Sequence, residues 1–564
     1  MHFPSPTLGS TTARRWPVAV FVAALCLIAP PQGWAQSTPE VSPHGLPHLG
    51  DVEGMSIGAE RRLGDQIARD IYRDPDYLDD VVLGDYLQSL WRPLLGAARA
   101  RGDVPPELAE RLAWELMISR DRRVNAFALP GGYLGVHLGL LAVTETPAEL
   151  ASVLAHELSH ISQRHIARLV SRQDRQAPWM LGAMILAALA ARNNSNLAGA
   201  AMAGGQAVAA QTQLNFSRDM EREADRVGFG VLTGAGFDGQ GFVGMFDKLQ
   251  QAARLNDDGS FPYLRSHPLT SERMADMRNR LPMATGAQNS VLRSTQAVQT
   301  PAANPVPNGA VNGPGRGLVL ELRDAQRLGQ VPLSALPSPE LHLLMAARAR
   351  VLADSSSERQ RAWLQIGQMA SASAADVYAA ALAAQRLGQH AQALGLAQRL
   401  RAAATPSTQA AADRLLLEVS VVAIRSGFTV PGEALALLRN QALASTSRAD
   451  VLLGAQAAVA MAVPRQASER LQTWVVAYPR DALAWQTLSS AYLAQGQRLR
   501  AVRAEAEVRA AQLDFAGAAE RFKTAQGLSA SERAMDPIEL AIVDTRRREV
   551  EEQLRESARE AREN

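Results

Sequence analysis

Residues 150–160, LASVLAHELSH, contain the pattern that decides the fold and the chemistry of this chain. A largely apolar, helix-forming run leads into His156 and His160, which are four positions apart. On a helix such positions share one face, so two imidazoles can hold one Zn²⁺ at about 2.0–2.1 Å each. Glu157 lies beside that metal, where it can take a proton from metal-bound water and pass it to a leaving amine.

A zinc site needs a third protein ligand. His165 lies five positions after His160, and in a continuing helix, at about 100° per residue, its ring points away from the metal face. A second predicted helix carries Glu221 and Asp225, again four positions apart. One of these carboxylates can bind the metal, and the other can accept the N–H of a ligating histidine and fix its orientation.

The composition is that of a globular, mostly helical protein with several domains. Of 564 residues, 47% are hydrophobic and 20% charged, and the net charge is +2. The length suggests more than one domain, since single cores stop growing near about 250–300 residues. The nearly neutral charge argues against a nucleic-acid partner.

The N-terminus is typical of an exported protein. Residues 1–35 read as a signal peptide, because Arg14 and Arg15 precede an apolar run and small residues follow it. The only cysteine, Cys26, lies within this signal, so the mature chain has no thiol chemistry. Residues 36–52 are predicted to form a tether. We expect the compartment to be the bacterial periplasm.

Residues 53–284 are predicted to form the metalloprotease domain, which is helical except for one hairpin. That hairpin comprises a strand at 124–128, a Pro-Gly-Gly turn and a strand at 133–137. Residues 285–317 are rich in Pro, Gly, Ala and Asn and are predicted to form a flexible linker that few contacts cross.

Residues 318–536 are alanine-rich and resemble tetratricopeptide helix-turn-helix repeats. In the clearest unit, Trp485, Tyr492 and Gly496 fall at the matching spacings. Stacked hairpins of this kind form a concave binding surface, whereas a generic helical bundle is the alternative. Residues 537–564 are highly charged and predicted to form a solvated helix. The expected fold is therefore mainly α: an α+β zincin-like domain with a small sheet, then a tetratricopeptide-repeat solenoid.

Three separated motifs together resemble the HtpX and CAAX prenyl protease family. They are His156-Glu157-x-x-His160, Ser217-Arg218-x-x-Glu221-x-x-Ala224-Asp225, and Ser266-His267-Pro268 with Arg273 six residues after the histidine. The signal peptide and the repeats bring the chain close to the soluble periplasmic branch of that family, the β-barrel assembly-enhancing proteases.

The resemblance implies Glu221 as the third zinc ligand and Asp225 as the carboxylate behind a ligating histidine. The rival ligand, Glu223, is two positions further on and therefore on another face of the helix. The resemblance also implies that His267 and Arg273 form a pair near the metal, which either stabilises the oxyanion or gates access to it.

Family members bind substrate along an edge strand, which Asn125, Ala126 and Phe127 match here. An extended peptide would add beside them as a further strand. Of the two roles for His267 we favour the blocking one, in which it fills the open position of a catalytic zinc. The neighbouring Pro268 restrains its loop and supports this choice.

By resemblance, the chain is a periplasmic endopeptidase with one zinc per chain. Its expected substrates are unfolded or misassembled outer-membrane β-barrel proteins, and its repeats are expected to engage the barrel assembly machinery. The alternative is a repeat-domain chaperone or scaffold with latent proteolytic activity. An integral-membrane prenyl-peptide protease is disfavoured, because the apolar runs at 179–191 and 198–210 are shorter than the roughly 20 residues of a span. We interpret the first run as a buried or interface helix, with membrane-surface contact as the alternative.

Overall fold

The computed structural model describes most of the two predicted domains. The described residues are 55–172, 217–254, 260–281, 336–528, 530 and 536–563. The predicted signal peptide, the tether, the two apolar runs and the linker lie outside these ranges. None of the described helices combines the length and the apolar character that crossing a membrane requires.

The described residues up to 281 are mostly helical. Their helices are α1 (Ile57–Arg73), α2 (Val81–Ala100), α3 (Pro106–Arg111), α4 (Leu138–Val143), α5 (Pro147–Ser162), α6 (His165–Arg172), α7 (Arg218–Gly234), α8 (Gln240–Arg254), α9 (Tyr263–Ser266) and α10 (Ser271–Arg280). The expected mainly-α domain with a small sheet is confirmed.

A three-stranded sheet lies beside α5. Its strands are β1 (Glu115–Ser119), β2 (Ala126–Leu129) and β3 (Tyr133–His137), in the order β1-β3-β2. β1 runs parallel to β3, whereas β2 runs antiparallel to it and forms an edge of the sheet. The predicted hairpin is thus present, but its first strand begins two residues later than expected, and the sequence patterns gave no sign of β1.

The metal-motif helix α5 is the central helix of the domain. Thr146 caps its N-terminus by accepting the N–H of Glu149, and every residue from 150 to 162 is buried. Helices α7 and α8 pack against it. At Gly228 of α7 an added Cβ would lie 3.1 Å from the backbone nitrogen of His156. The glycine therefore allows α7 to approach the histidine-bearing part of α5 closely.

The C-terminal half forms consecutive helices that pack on their neighbours, as expected for helical repeats. They are α11 (Pro339–Leu352), α12 (Ser357–Gln368), α13 (Ala374–Arg386), α14 (His390–Ala402), α15 (Gln409–Arg425), α16 (Gly432–Ala444), α17 (Arg448–Ala460), α18 (Pro464–Ala477), α19 (Ala482–Leu493), α20 (Arg498–Ala511), α21 (Phe515–Gln526) and α22 (Pro537–Glu563). In the predicted unit, Trp485 and Tyr492 are buried and Gly496 turns the chain with a φ of 72°. The charged helix α22 is solvated on one side only, because Val543 and Val550 are buried.

Buried and half-buried ion pairs join the repeats to the protease domain, although the linker composition predicted few contacts between them. The Arg348 guanidinium on α11 lies 2.7 Å from Asp80 Oδ2 and 2.7 Å from Glu418 Oε2. Arg448 on α17 lies 2.9 Å from Asp79 Oδ1. Both acceptors in the protease domain precede α2, so the described parts of the two halves share one interface.

Candidate metal centre

Four side chains from three parts of the protease domain converge at one buried point. His156 and His160 come from α5, Glu221 from α7, and His267 from the residue that ends α9. One potential ligand atom of each lies within 4.8 Å of the others, and all four side chains are buried. The α7 motif reaches this point because Ser217 caps the helix by accepting the N–H of Met220, which places Glu221 in the first turn.

The spacing and chemistry of these atoms fit a tetrahedral metal site. His156 Nε2 lies 3.0 Å from His160 Nε2 and 3.3 Å from His267 Nδ1. Glu221 Oε1 lies 3.5 Å from His160 Nε2 and 2.9 Å from His267 Nδ1. A tetrahedron of donors at about 2.0–2.1 Å from a zinc ion has edges of roughly 3.3 Å. Three nitrogens and one carboxylate oxygen at such separations form a donor set that suits Zn²⁺.

Asp225 lies behind His156, on the side away from the cluster. Its Oδ1 is 3.0 Å from His156 Nδ1. Burial alone would lower the pKa of His156, but the neighbouring Asp225 and Glu221 carboxylates outweigh it and raise that pKa to about 9. The spacing of Glu221 and Asp225 on α7 did not show which carboxylate faces the metal site. In the structure Glu221 faces the cluster, and Asp225 faces the outer nitrogen of His156.

Arg273 binds the carboxylates of the centre. Its Nε and Nη2 donate to Asp225 at 2.6 and 2.8 Å, and its Nη1 lies 2.8 Å from Glu221 Oε2. Nη1 also donates to the Pro268 carbonyl at 2.8 Å, which fixes the loop that carries His267. The resemblance implied that Arg273 acts on substrate or access. Its contacts are those of a side chain that holds two carboxylates and the loop in place.

His165 contacts the outer nitrogen of His160, which the assumption of a continuing helix did not foresee. Helix α5 ends at Ser162, and Arg164 adopts a left-handed φ of 51° before α6 begins. This turn brings His165 Nδ1 to 2.8 Å from His160 Nδ1. His165 Nε2 lies 3.1 Å from Glu223 Oε2, and burial lowers the pKa of His165 to about 4. His165 and Glu223 are therefore outside the four-residue cluster but in contact with it.

Glu157 is fully buried beside the cluster. Its Oε2 accepts the backbone N–H of Ala128 at 2.9 Å, and its Oε1 lies 3.4 Å from His267 Nε2. The predicted proton-transfer group is thus held between the edge strand and the histidine loop. The backbone contact with Ala128 has no side-chain signature, so sequence reasoning could not find it.

The predicted substrate strand lies at an edge of the sheet, and the backbone groups that do not bond to β3 point away from the sheet. The Asn125 carbonyl accepts the N–H of His137 on β3. Because pairing alternates along an antiparallel strand, Phe127 also bonds toward β3, whereas Ala126 and Ala128 direct their backbone groups outward. The outward N–H of Ala128 is the one that Glu157 accepts.

The segment at 260–267 covers the cluster. Val124 N donates to the Ser260 carbonyl at 2.8 Å, so this segment begins beside the edge strand. The ring of Tyr263 stacks on His267 with centroids 4.5 Å apart, and both side chains are buried. Tyr263 had no motif to mark it. With this segment in place, neither the ligands nor Glu157 is accessible to a peptide.

Residues 94–281 match the family described as Peptidase family M48. This range contains all the groups of the metal centre and none of the repeats. This part of the chain is an M48 metalloprotease domain. The motifs and the geometry agree with that match, since the three separated motifs meet at one buried centre. The resemblance stated from the sequence is confirmed for the protease part of the chain.

The chain spans about half the length of the two bacterial relatives given first here, and less of the third. A putative β-barrel assembly-enhancing protease of Vibrio cholerae serotype O1 is 33% identical over 284 residues, which cover 49% of this chain and 52% of the relative. The β-barrel assembly-enhancing protease of Escherichia coli K12 is 32% identical over 269 residues, covering 47% and 51%. The mitochondrial metalloendopeptidase OMA1 of Arabidopsis thaliana is 32% identical over 164 residues, covering 29% and 31%.

Proposed function

We propose that the chain is a periplasmic, zinc-dependent endopeptidase that acts in the assembly and quality control of outer-membrane β-barrel proteins. The observation that carries the enzymatic part is the convergence of His156, His160 and Glu221 beside the buried carboxylate of Glu157. The similarity to the Vibrio and Escherichia proteins named β-barrel assembly-enhancing protease supports the role in barrel assembly.

In this proposal one zinc per chain is held by His156, His160 and Glu221. When bound, zinc polarises the scissile carbonyl and lowers the pKa of its water. The Glu157 carboxylate would take up a proton from the attacking water and pass it to the leaving nitrogen of the cleaved peptide. Asp225 accepts the Nδ1–H of His156, which orients the ring and increases its basicity toward the metal.

Substrate would pair with the outward backbone groups of Ala126 and with the carbonyl of Ala128 on β2, since the Ala128 N–H donates to Glu157. Asn125, Ala126 and Phe127 then form the binding strand, as the resemblance implies. Unfolded or misassembled β-barrel proteins expose unpaired strand edges, and such edges add readily to a free edge of another sheet. A backbone-directed site of this kind suits substrates that share extended strands and differ in side chains.

His267 would act as a reversible block of the metal. Its Nδ1 lies among the potential ligand atoms. There it would fill the position that a catalytic zinc keeps open for water or substrate. The stacked Tyr263 and the Arg273 contact with Pro268 stabilise the covering segment in this closed arrangement. Activity then requires the segment at 260–267 to move away.

The helical array would form tetratricopeptide repeats that recruit the barrel assembly machinery. Its ion pairs with the residues before α2 would keep a bound partner at a fixed position relative to the protease domain. A second candidate function, a chaperone or scaffold with latent proteolysis, is favoured by the buried and covered state of the centre. Contact with a membrane surface is not needed by either function.

The decisive experiment combines zinc content with proteolysis of an unfolded β-barrel protein by wild type and Glu157→Gln. Wild type should hold one zinc and cleave, and the variant should hold zinc and lose cleavage by about 10²–10⁴-fold. If the variant cleaves as fast as wild type, Glu157 does not transfer the proton. If wild type takes up no zinc, the ligand assignment is wrong. If the variant supports barrel assembly in cells as well as wild type does, the chaperone candidate is favoured.

A further inference from the structure

A row of polar contacts extends from His160 away from the metal cluster. His165 Nδ1 lies 2.8 Å from His160 Nδ1, and His165 Nε2 lies 3.1 Å from Glu223 Oε2. Arg168 Nη1 donates to the same Glu223 oxygen at 2.9 Å. The rings of His160 and His165 are both fully buried. No step of the proposed mechanism uses His165.

The direction of these hydrogen bonds follows from the bonding capacity of a neutral imidazole, which has one donor and one acceptor nitrogen. The His160 Nε2 faces the cluster and must carry a lone pair to bind a metal, so its proton resides on Nδ1. His165 must then accept that proton at its own Nδ1 and carry its hydrogen on Nε2. This is the nitrogen that faces the Glu223 carboxylate, which only accepts. Each of these hydrogen bonds, from His160 to His165 and from His165 to Glu223, therefore has one donor and one acceptor.

The backbone turn at Arg164 brings His165 into contact with His160. Its predecessor, Arg164, adopts the left-handed φ of 51°, a conformation that is unfavourable for a residue other than glycine. Arg164 is held by Glu60 Oε2 at 2.9 Å and by the Met55 carbonyl at 2.6 Å. These contacts with the start of α1 stabilise the turn that returns His165 to His160.

We propose that His165 is a positioning residue, which accepts the Nδ1–H of His160 and thereby fixes the ring and the tautomer that present Nε2 to the metal. Glu223, held by Arg168, in turn fixes the tautomer of His165. Each α5 ligand then has its own support: the Asp225 carboxylate for His156 and a histidine–glutamate pair for His160. The inference rests on the proposed zinc site, but it concerns a residue outside the ligand set.

The test uses the full mature chain and measures zinc affinity by competition with a chromophoric chelator. His165→Leu removes the acceptor while keeping bulk, and zinc affinity should fall about 10–100-fold. His165→Asn places an amide oxygen near the former Nδ1 and should recover most of that affinity. Glu223→Ala should lower the affinity in the same direction by a smaller factor. As a measurement on the unaltered protein, ¹⁵N NMR of His160 should find its proton on Nδ1.

The control is His342→Leu, which removes another buried histidine from a site far from the metal, between Tyr86 and the Thr144 carbonyl. It should leave zinc affinity unchanged even if stability falls. The inference is overturned if His165→Leu binds zinc as tightly as wild type, if His165→Asn loses as much affinity as His165→Leu, or if the His160 proton is found on Nε2. These outcomes leave the zinc assignment intact, whereas a wild-type chain that binds no zinc overturns the proposed function and this inference together.

Discussion

Nδ1 of His267 lies 2.9 Å from Oε1 of Glu221, a residue 46 positions earlier in the chain. The contact joins the covering loop directly to a proposed zinc ligand. It also puts a nitrogen of this imidazole among the potential ligand atoms of the cluster. The loop residue is therefore part of the centre itself, and its removal should affect both access and turnover.

Replacing His267 by Ala should raise proteolysis, including self-cleavage, because the loop no longer supplies a ring to fill the open metal position. Initial rates on an unfolded β-barrel substrate, with zinc content measured in parallel, would check this. His342→Ala is the matched control, since it removes an equally buried histidine outside the centre. If His267 instead donates to the oxyanion, turnover should fall by about 10²–10³-fold with zinc retained. That result would refute the blocking role.

Replacing Arg273 by Met should destabilise the protease domain by about 3–5 kcal/mol, because Asp225 and Glu221 would lose their shared buried partner. Chemical denaturation of the variant and of wild type would measure the difference. The variant should also retain less zinc, since Asp225 then loses the group that orients it toward His156. Unchanged stability and zinc content together with lost turnover would mean that Arg273 acts on substrate.

The interface between the two halves should depend on Arg348. Its guanidinium is 3% exposed and pairs with Asp80 and Glu418, so Arg348→Met should cost about 3–5 kcal/mol. Arg465→Met is the control, because Arg465 forms an exposed pair with Glu469 that should be worth about 1 kcal/mol or less. Equal effects of the two substitutions on the free energy of unfolding would show that the Arg348 ion pairs stabilise the protein no more than an exposed pair does.

Acid should weaken the same interface through Asp481. Burial would raise the pKa of Asp481, but its hydrogen bond and charge interaction with Arg448, together with the Trp474 N–H, hold it below the usual 3.8. A depressed pKa in the folded state contributes stability above the unfolded value, and this contribution is lost as pH falls below it. Asp481→Asn should therefore reduce the free energy of unfolding at pH 7. Its difference from wild type should begin to shrink near about pH 4 and should vanish once the pH falls below the depressed folded-state pKa. A difference that stays constant with pH would contradict the ionic contribution of Asp481.

Local sequence pattern was enough for the elements that depend on short-range geometry. The spacing of His156 and His160 determines that both rings share a helix face, whatever surrounds the helix. The turn between β2 and β3 could be predicted from the sequence because it contains two consecutive glycines, Gly131 and Gly132. In the structure they adopt positive φ values of 77° and 86°, which glycine tolerates at little cost. The strand β1 was missed because it is defined by pairing with β3, which lies 18 positions further along the chain. The residues of β1 alone do not indicate that pairing.

The sequence by itself thus determined a helix with two metal-facing histidines, an edge hairpin and a C-terminal array of helices. Only the tertiary structure decided that Glu221 faces the cluster while Asp225 supports His156, and that His165 turns back to His160. It also decided that Arg348 and Arg448 join the repeats to the residues before α2. The physical reason is that helical spacing follows from backbone geometry within one or two turns. The position of one element against another depends instead on packing and ion pairs between distant residues, such as Gly228 against α5 or Arg348 with Asp80.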